Sequence, residues 1–258
     1  MWPFFNLALG KPPLDLAAVR TLEECAFNAW PAQRIATCNG WVLRLSEGYT
    51  KRANSANALC PSGSFADTRK LAERFYARHG QPAIFRLSPL AGPAADGELA
   101  AAGYSRTGET LVLQAPLPTT GLVDDGVVAP HADAIWRHGY AQAAAVPPAA
   151  RGLHDRLLDA IAMPCGFARS GPPEAPVAFG MGVVERHLLG LFDIVVHPSA
   201  RRQGAARRLM MHLMAWGRLQ GATHVYLQVV ADNVPALALY RSLGFEVAYR
   251  YHYRIAAC

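Results

Sequence analysis

Between Leu191 and Met210 the chain changes character once, and abruptly. Leu-Phe-Asp-Ile-Val-Val suits a strand, stops at His197-Pro198, passes through Ser-Ala-Arg-Arg-Gln-Gly, and from about Ala205 reads as a helix. A strand feeding a helix start aims unpaired backbone N–H groups, and the positive end of the helix dipole, at whatever occupies the turn. Gly204 permits close backbone approach, Ala205 and Ala206 keep the next positions clear, and Arg201, Arg202, Arg207 and Arg208 ring the turn with charge. Arginines in a first helical turn oppose the dipole unless an anion balances them, so the stretch reads as a phosphate cradle. It has neither the G-x-G-x-x-G of a dinucleotide site nor the Gly-Lys-Ser/Thr of a Walker A loop.

The chain has 258 residues, 52% of them hydrophobic and 17% charged, enough for one large domain or for two of about half the length. Its net charge of +6 favours anionic ligands, but the arginine group is the only dense basic cluster, which suits a small phosphate better than a nucleic acid. Five scattered cysteines, with no C-x-x-C and no metal-like spacing to a histidine, read as reduced thiols of a cytoplasmic protein without a metal. Met1–Gly10 is apolar but holds a proline, lacks a basic leader and falls short of the ~20 residues of a span. A packing arm is expected there, and no membrane segment anywhere.

Helical spacing of Leu16, Val19, Leu22 and Ala26 predicts a first helix over 15–28, with Asp15 as its cap. Strands are expected over 33–38, 41–45 and 52–59, the first pair a hairpin turning at Asn39-Gly40. A helix over 65–79, a strand over 83–87, a helix over 96–102 and a strand over 110–115 complete the first half. Residues 118–126 read as a linker. The second half repeats the order: helices over 131–143 and 149–161, strands over 165–170, 177–184 and 188–196, a helix over 203–220, a strand over 223–230, a helix over 235–243 and a strand over 245–255. Leu99-Ala-Ala-Ala-Gly-Tyr104 before one last strand parallels Leu239-Tyr-Arg-Ser-Leu-Gly-Phe245 before the other, and we read it as an internal repeat.

Arg201-x-x-Gly204-x-Ala206 resembles the Q/R-x-x-G-x-G/A pyrophosphate loop of the GCN5-related N-acetyltransferases (GNATs). Downstream, Asn233-x-x-Ala236-x-x-x-Tyr240-x-x-x-Gly244-Phe245 is similar to that family's later segment, and it makes physical sense. Ala236 and Tyr240 share a helix face, so a small side chain leaves a channel beside a phenol. The resemblance implies an α/β fold, a mixed and mostly antiparallel sheet flanked by helices, as two tandem GNAT-like domains. Residues 1–117 would form a degenerate copy and 127–258 the catalytic one, because the turn at Cys60–Ser64 has no arginine and no Gly-x-Ala.

It further implies acetyl-coenzyme A as donor, with Arg201, Arg202, Gln203, Gly204, Ala205, Ala206 and Arg207 around the pyrophosphate. Ile194, Val195 and Val196 would lie along the donor, the thioester meeting backbone N–H at Val195 or Val196. Asn233 would hold the pantetheine or cap its helix, beside Ala236 and Tyr240. Tyr240 is the expected general acid for the departing thiol. The base is open between Asp193, Glu185 and water relayed by backbone carbonyls; His197 is titratable, but before Pro198 it reads as a strand end. Tyr249, Tyr251 and Tyr253 alternate on one strand face, as half-buried sheet or as an acceptor wall. The polar Tyr49–Asn57 is either an edge strand or a cleft lining. The acceptor would be a small-molecule or peptide amine, and the protein a monomer or homodimer. An acyl-coenzyme A sensor without catalysis is the second reading, and nucleic-acid binding the third.

Overall fold

The Gly-capped helix with its following strand does occur twice, and both copies meet at the centre of one sheet. The computed structural model describes residues 14–122 and 127–257, so the Met1–Gly10 arm and part of the expected linker lie outside the described residues. The first half runs α1 (Leu16–Ala29), β1 (Arg34–Cys38), β2 (Trp41–Leu45), β3 (Ala56–Ala58), α2 (Phe65–Ala77), β4 (Ile84–Leu87), α3 (Pro93–Ala101) and β5 (Ser105–Pro116). The second runs β6 (Val128–Ala129), α4 (Ala134–Ala143), α5 (Pro148–Asp159), β7 (Cys165–Ser170), β8 (Ala178–Glu185), β9 (Leu188–Val196), α6 (Ala205–Leu219), β10 (His224–Val230), α7 (Val234–Ser242) and β11 (Glu246–Ile255).

The strands form a single sheet in the order β1-β2-β3-β4-β11-β5-β10-β9-β8-β7-β6. Neighbours are antiparallel except β3–β4 and β9–β10, which gives the expected mixed, mostly antiparallel α/β architecture. The two halves exchange their last strands. β5 pairs with β10 from His224↔Pro116 to Val230↔Thr110, and β11 pairs with β4 from His252↔Leu87 to Ile255↔Ile84. β5 and β11 then pair with each other, so the join is continuous. Each is delivered by the same device. Gly103 and Gly244 turn the chain at φ +82° and +83°, and the N–H groups of Tyr104 and Phe245 return to the carbonyls of Leu99 and Tyr240 at 3.0 and 3.1 Å.

Alternate residues of β9 go to opposite faces of the sheet. Leu189 and Leu191 pack with Leu209, Met210 and Leu213 of α6, while Leu188 and Phe192 belong to the core that holds Trp30 and Trp136. Trp30 of α1's cap stacks near Phe192 at 6.3 Å, and Trp136 of α4 meets Phe179 edge-on at 6.4 Å. α1 thus bridges the first half onto the second half's sheet. The expected strand over 52–59 shrinks to three residues, because Asn54 turns inward and accepts from the N–H groups of Ser46 and Gly48 at 2.7 and 3.0 Å. Nor is it an edge: β3 lies between β2 and β4.

Candidate active site

β9 and β10 start as a parallel pair, Leu188↔His224 through Leu191↔Leu227, and then part although both strands continue. The cause is visible on the other side of β9. Its register with β8 slips between Phe179↔Val195 and Met181↔Phe192, so β9 carries one residue more than its partner there. That bulge centres on Asp193 at φ +54°, a backbone state rare for a non-glycine residue. It bends the end of β9 away from β10 and opens a wedge lined on one side by strand backbone.

A cleft of about 800 Å³ enters this wedge. Ile194, Val195 and Val196 form one wall, the turn residues Arg201, Arg202, Gly204, Ala205, Ala206 and Arg207 its floor, and Asn233, Ala236 and Tyr240 of the α7 segment the facing side. The structure therefore brings together nearly every residue expected around the donor. Gln203 is the exception: its Nε2 donates back to Ser199 O at 3.2 Å on the exposed side of the turn. Gly204 caps α6 at φ +79°, and since a Cβ there would meet only Arg208 Nη1 at 3.4 Å, it is the left-handed backbone rather than crowding that asks for glycine. Arg207 Nη2 donates to Ser242 O and Oγ at 3.2 and 3.1 Å, tying the turn to α7. Asn233 caps α7, its Oδ1 accepting from Ala236 N at 3.2 Å. Tyr240 is 9% exposed, and burial raises its phenol above the ordinary value, which keeps the proton on oxygen.

Asp193 points to the other face of the bulge and does not line the cleft. Its carboxylate is nearly buried and doubly held: Tyr140 OH donates to Oδ1 at 2.9 Å and His154 Nε2 to Oδ2 at 2.8 Å. Burial first, and then the Asp193 charge, push the Tyr140 phenol well up and that of Tyr49 to about 12. The imidazole of His154 is boxed by Tyr140 at 4.7 Å, Tyr49 at 5.8 Å, Trp30 at 6.0 Å and Trp136 at 6.4 Å. Trp30 and Tyr49 come from the first half, so the box is built by both. His154 and Tyr140 escaped the sequence reading. The available signal was a histidine placed three and four residues before Leu157 and Leu158, on the buried face of α5.

The other base candidates fall elsewhere. Glu185 ends β8 beside Leu188, at the end of β9 remote from the bulge, and accepts from Asn28 Nδ2 at 3.0 and 3.2 Å. His197 follows β9, donates its backbone N–H to Val177 O at 2.7 Å and meets Ser199 Oγ through Nδ1 at 2.7 Å. Tyr249, Tyr251 and Tyr253 are all buried, at 3–4% exposure.

Residues 16–254 match the family described as "Probable histone acetyltransferase Rv0428c C-terminal". The chain is 28% identical over 246 residues to an uncharacterized N-acetyltransferase, YobR, of Bacillus subtilis, covering 92% of this chain and 98% of that protein. It is also 28% identical over 250 residues to the probable histone acetyltransferase Rv0428c of Mycobacterium tuberculosis, covering 95% of this chain and 76% of the relative. Among solved structures, a GCN5-related N-acetyltransferase from Kribbella flavida superposes with a TM-score of 0.66 at 16% identity, over 93% of this chain and 95% of that one.

Proposed function

The chain belongs to the Rv0428c C-terminal acetyltransferase family, a GNAT family, and from that premise we propose that it moves an acetyl group from acetyl-coenzyme A directly to a primary amine. It is an acyltransferase. One observation carries the finer reading: the wedge opened by the Asp193 bulge runs straight into the arginine-floored cleft, while a histidine–carboxylate pair sits on the opposite face of the same bulge.

The cleft fits the donor by charge and by shape. Arg201, Arg202 and Arg207, with the N-terminus of α6, suit a pyrophosphate, and the Gly204-Ala205-Ala206 run leaves the approach clear. The donor supplies an activated acyl group on sulfur. In the proposed mechanism the splayed backbone of Ile194–Val196 orients the arm and offers N–H to the thioester carbonyl. Tyr240, whose buried phenol holds its proton and lines the cleft, donates that proton to the sulfur as it departs. His154 takes the proton from the amine. Asp193 receives Nε2–H, which fixes the tautomer and leaves the Nδ1 lone pair as the proton acceptor. Asp193 is thus read as orienting the base and stabilising its charge.

We divide the chain at 118–126, with 127–258 carrying the chemistry and 1–117 a degenerate copy that closes the acceptor side. Free thiols at Cys25, Cys38, Cys60 and Cys165 support a cytoplasmic protein, and among the described residues no helix is long and apolar enough to cross a membrane. The test is thiol release from acetyl-coenzyme A with a panel of amino acids, polyamines, aminoglycosides and peptide N-termini. Release with at least one class is expected. Tight coenzyme binding with no release from any amine would overturn transfer and leave a sensor.

A further inference from the structure

Two arginines are buried where β2, β4 and α1 meet. Arg44 and Arg86 are each 2% exposed, and Glu23, at 1%, is the carboxylate buried with them. Arg86 pairs with Glu23 through Nη1, and its guanidinium carbon lies 3.6 Å from the centroid of Tyr251. Arg44 donates to the carbonyls of Arg52 at 2.8 Å, Phe27 at 3.2 Å and Trp30. Three N–H sites are left over: Arg44 Nε, Arg86 Nε and Arg86 Nη2 have no partner. Burial, and then the neighbouring Arg86, lower Arg44 to about 9, which is the mark of positive charge short of a counter-ion. A small void of about 10 Å³ lies between Arg44, Arg52, Arg86 and Gln228, room for a single oxygen-sized atom.

Arg52 and Gln228 link the void to the proposed reaction centre. Gln228 is the first β10 residue past the last β9–β10 pair, at the mouth of the wedge. Arg52 lies 4.6 Å over the Trp30 ring, whose other neighbour is His154 at 6.0 Å. Its charge acts both on Tyr49 and Tyr140 beside Asp193 and on Tyr253 beside Arg86, so it spans the two clusters. Among the described residues Arg52 has no carboxylate partner.

We propose that this arginine cluster is a carboxylate site, and that the acceptor is an amine that also carries a carboxylate: one oxygen seats between Arg44 and Arg86, the other meets Arg52, and the amine faces His154. The inference rests on the acetyl transfer proposed above. Glu23 balances one of the two buried guanidinium groups, and the carboxylate supplies the counter-ion that the second lacks and an uncharged amine would leave missing.

The experiment compares matched pairs, β-alanine with ethylamine, γ-aminobutyrate with propylamine and lysine with cadaverine, in the thiol-release assay. Melting temperature is measured in parallel with added acetate at constant ionic strength. Arg44 and Arg86 lie too deep for a clean replacement, so the variant is Arg52→Gln at the mouth. The carboxylated member of a pair is expected to show at least tenfold higher kcat/KM. Arg52→Gln should bring that ratio toward one, and acetate should raise the melting temperature of the wild type more than that of the variant. Equal kcat/KM within every pair, or a preference that survives Arg52→Gln, overturns the proposal. If acetate protects while the pairs react alike, the site holds a free anion and the acceptor assignment falls. If acetate protects the wild type alone and no amine reacts, it is the transfer activity that fails and the carboxylate site that stands.

Discussion

Replacing Asp193 by asparagine tests the base assignment with little disturbance of the backbone. Asn is among the residues that tolerate positive φ, so the bulge at φ +54° should survive. The carboxylate accepts two hydrogen bonds, from Tyr140 at 2.9 Å and His154 at 2.8 Å, whereas an amide offers one oxygen. If that oxygen keeps Tyr140, the NH₂ faces His154 Nε2, and the ring must move its proton to Nδ1 to avoid a donor–donor clash. The proton acceptor is then lost while the shape is kept. Turning two hydrogen bonds to a buried charge into neutral ones should lower stability by about 1–2 kcal/mol. Loss of a positioned base should lower kcat/KM by about 10²–10³-fold, or roughly 3–4 kcal/mol of barrier. Coenzyme affinity should hold, because Asp193 does not line the donor cleft. His154→Gln should fall as far, and the double variant no further than either single one, since the two act as a unit. Thiol release with the best amine, calorimetric titration of coenzyme A and a melting curve measure all three quantities. A kcat/KM for Asp193→Asn within threefold of wild type would falsify the dyad and hand the proton to water.

Tyr240→Phe should lower kcat by about 10–100-fold with the Kd of coenzyme A unchanged, and a full-rate variant would remove the phenol from the chemistry. Because burial raises the Tyr240 phenol, the wild type should keep its rate through mildly alkaline pH, a limb that stopped-flow thiol release can follow. Gly204→Glu, which puts a carboxylate and a strained φ into the phosphate floor, should weaken coenzyme A binding at least 100-fold by calorimetry, about 3 kcal/mol. Asp96 is lowered to about 2, chiefly by the hydrogen bond from Arg254 and then against burial by His252. A depressed carboxyl stabilises above its ordinary 3.8 and loses that contribution as pH falls toward 2, so chemical denaturation should show a decline across that window that Asp96→Asn lacks. With 37% of its side chain exposed, solvent screening limits the effect to about 1 kcal/mol. A protease site inserted at the exposed Thr119-Thr120 should yield two fragments that still co-elute in native chromatography, held by the exchanged strands, and fragments that part on cleavage would count against that interlock.

The cleft proposed for the donor was legible because its signals are local. A positive-φ glycine before a helix, arginines where the dipole disfavours them, and Ala236 four residues before Tyr240 each report a requirement within a turn or two. The Asn39-Gly40 turn, with φ +47° and +73°, joins β1 to β2 for the same reason. The proposed acceptor side joins residues far apart in sequence, and no local period encodes that. Asp193 was visible as a carboxylate near the site, but its partners stand 53 and 39 residues earlier. The strand exchange was equally hidden: the sequence of β5 shows a buried strand, and nothing in it says that the neighbours are β10 and β11.

That exchange gives the first half a structural stake in the proposed site. β11 leaves its own half and crosses to β4, carrying Tyr249 and Tyr251 with it. Tyr249 OH donates to Glu23, Tyr251 covers Arg86, and the Tyr251 OH donates to Gln228 of β10 at 2.9 Å. Glu23, Arg44 and Arg86 come from the first half, and Tyr249, Tyr251 and Gln228, which close over Glu23 and Arg86, come from the second. Two separate domains docked face to face would have to bury these arginines at a sliding interface, where an unpaired guanidinium group costs several kcal/mol and any shift exposes it. Threading each last strand into the other half fixes the two sets of residues in one hydrogen-bonded sheet, and with them the distance between the arginines and the His154–Asp193 pair. If the first half is the degenerate copy proposed above, it has no phosphate cradle of its own but retains the residues that meet the second half's strands. On this reading, selection on the first half acts through the second half's acceptor.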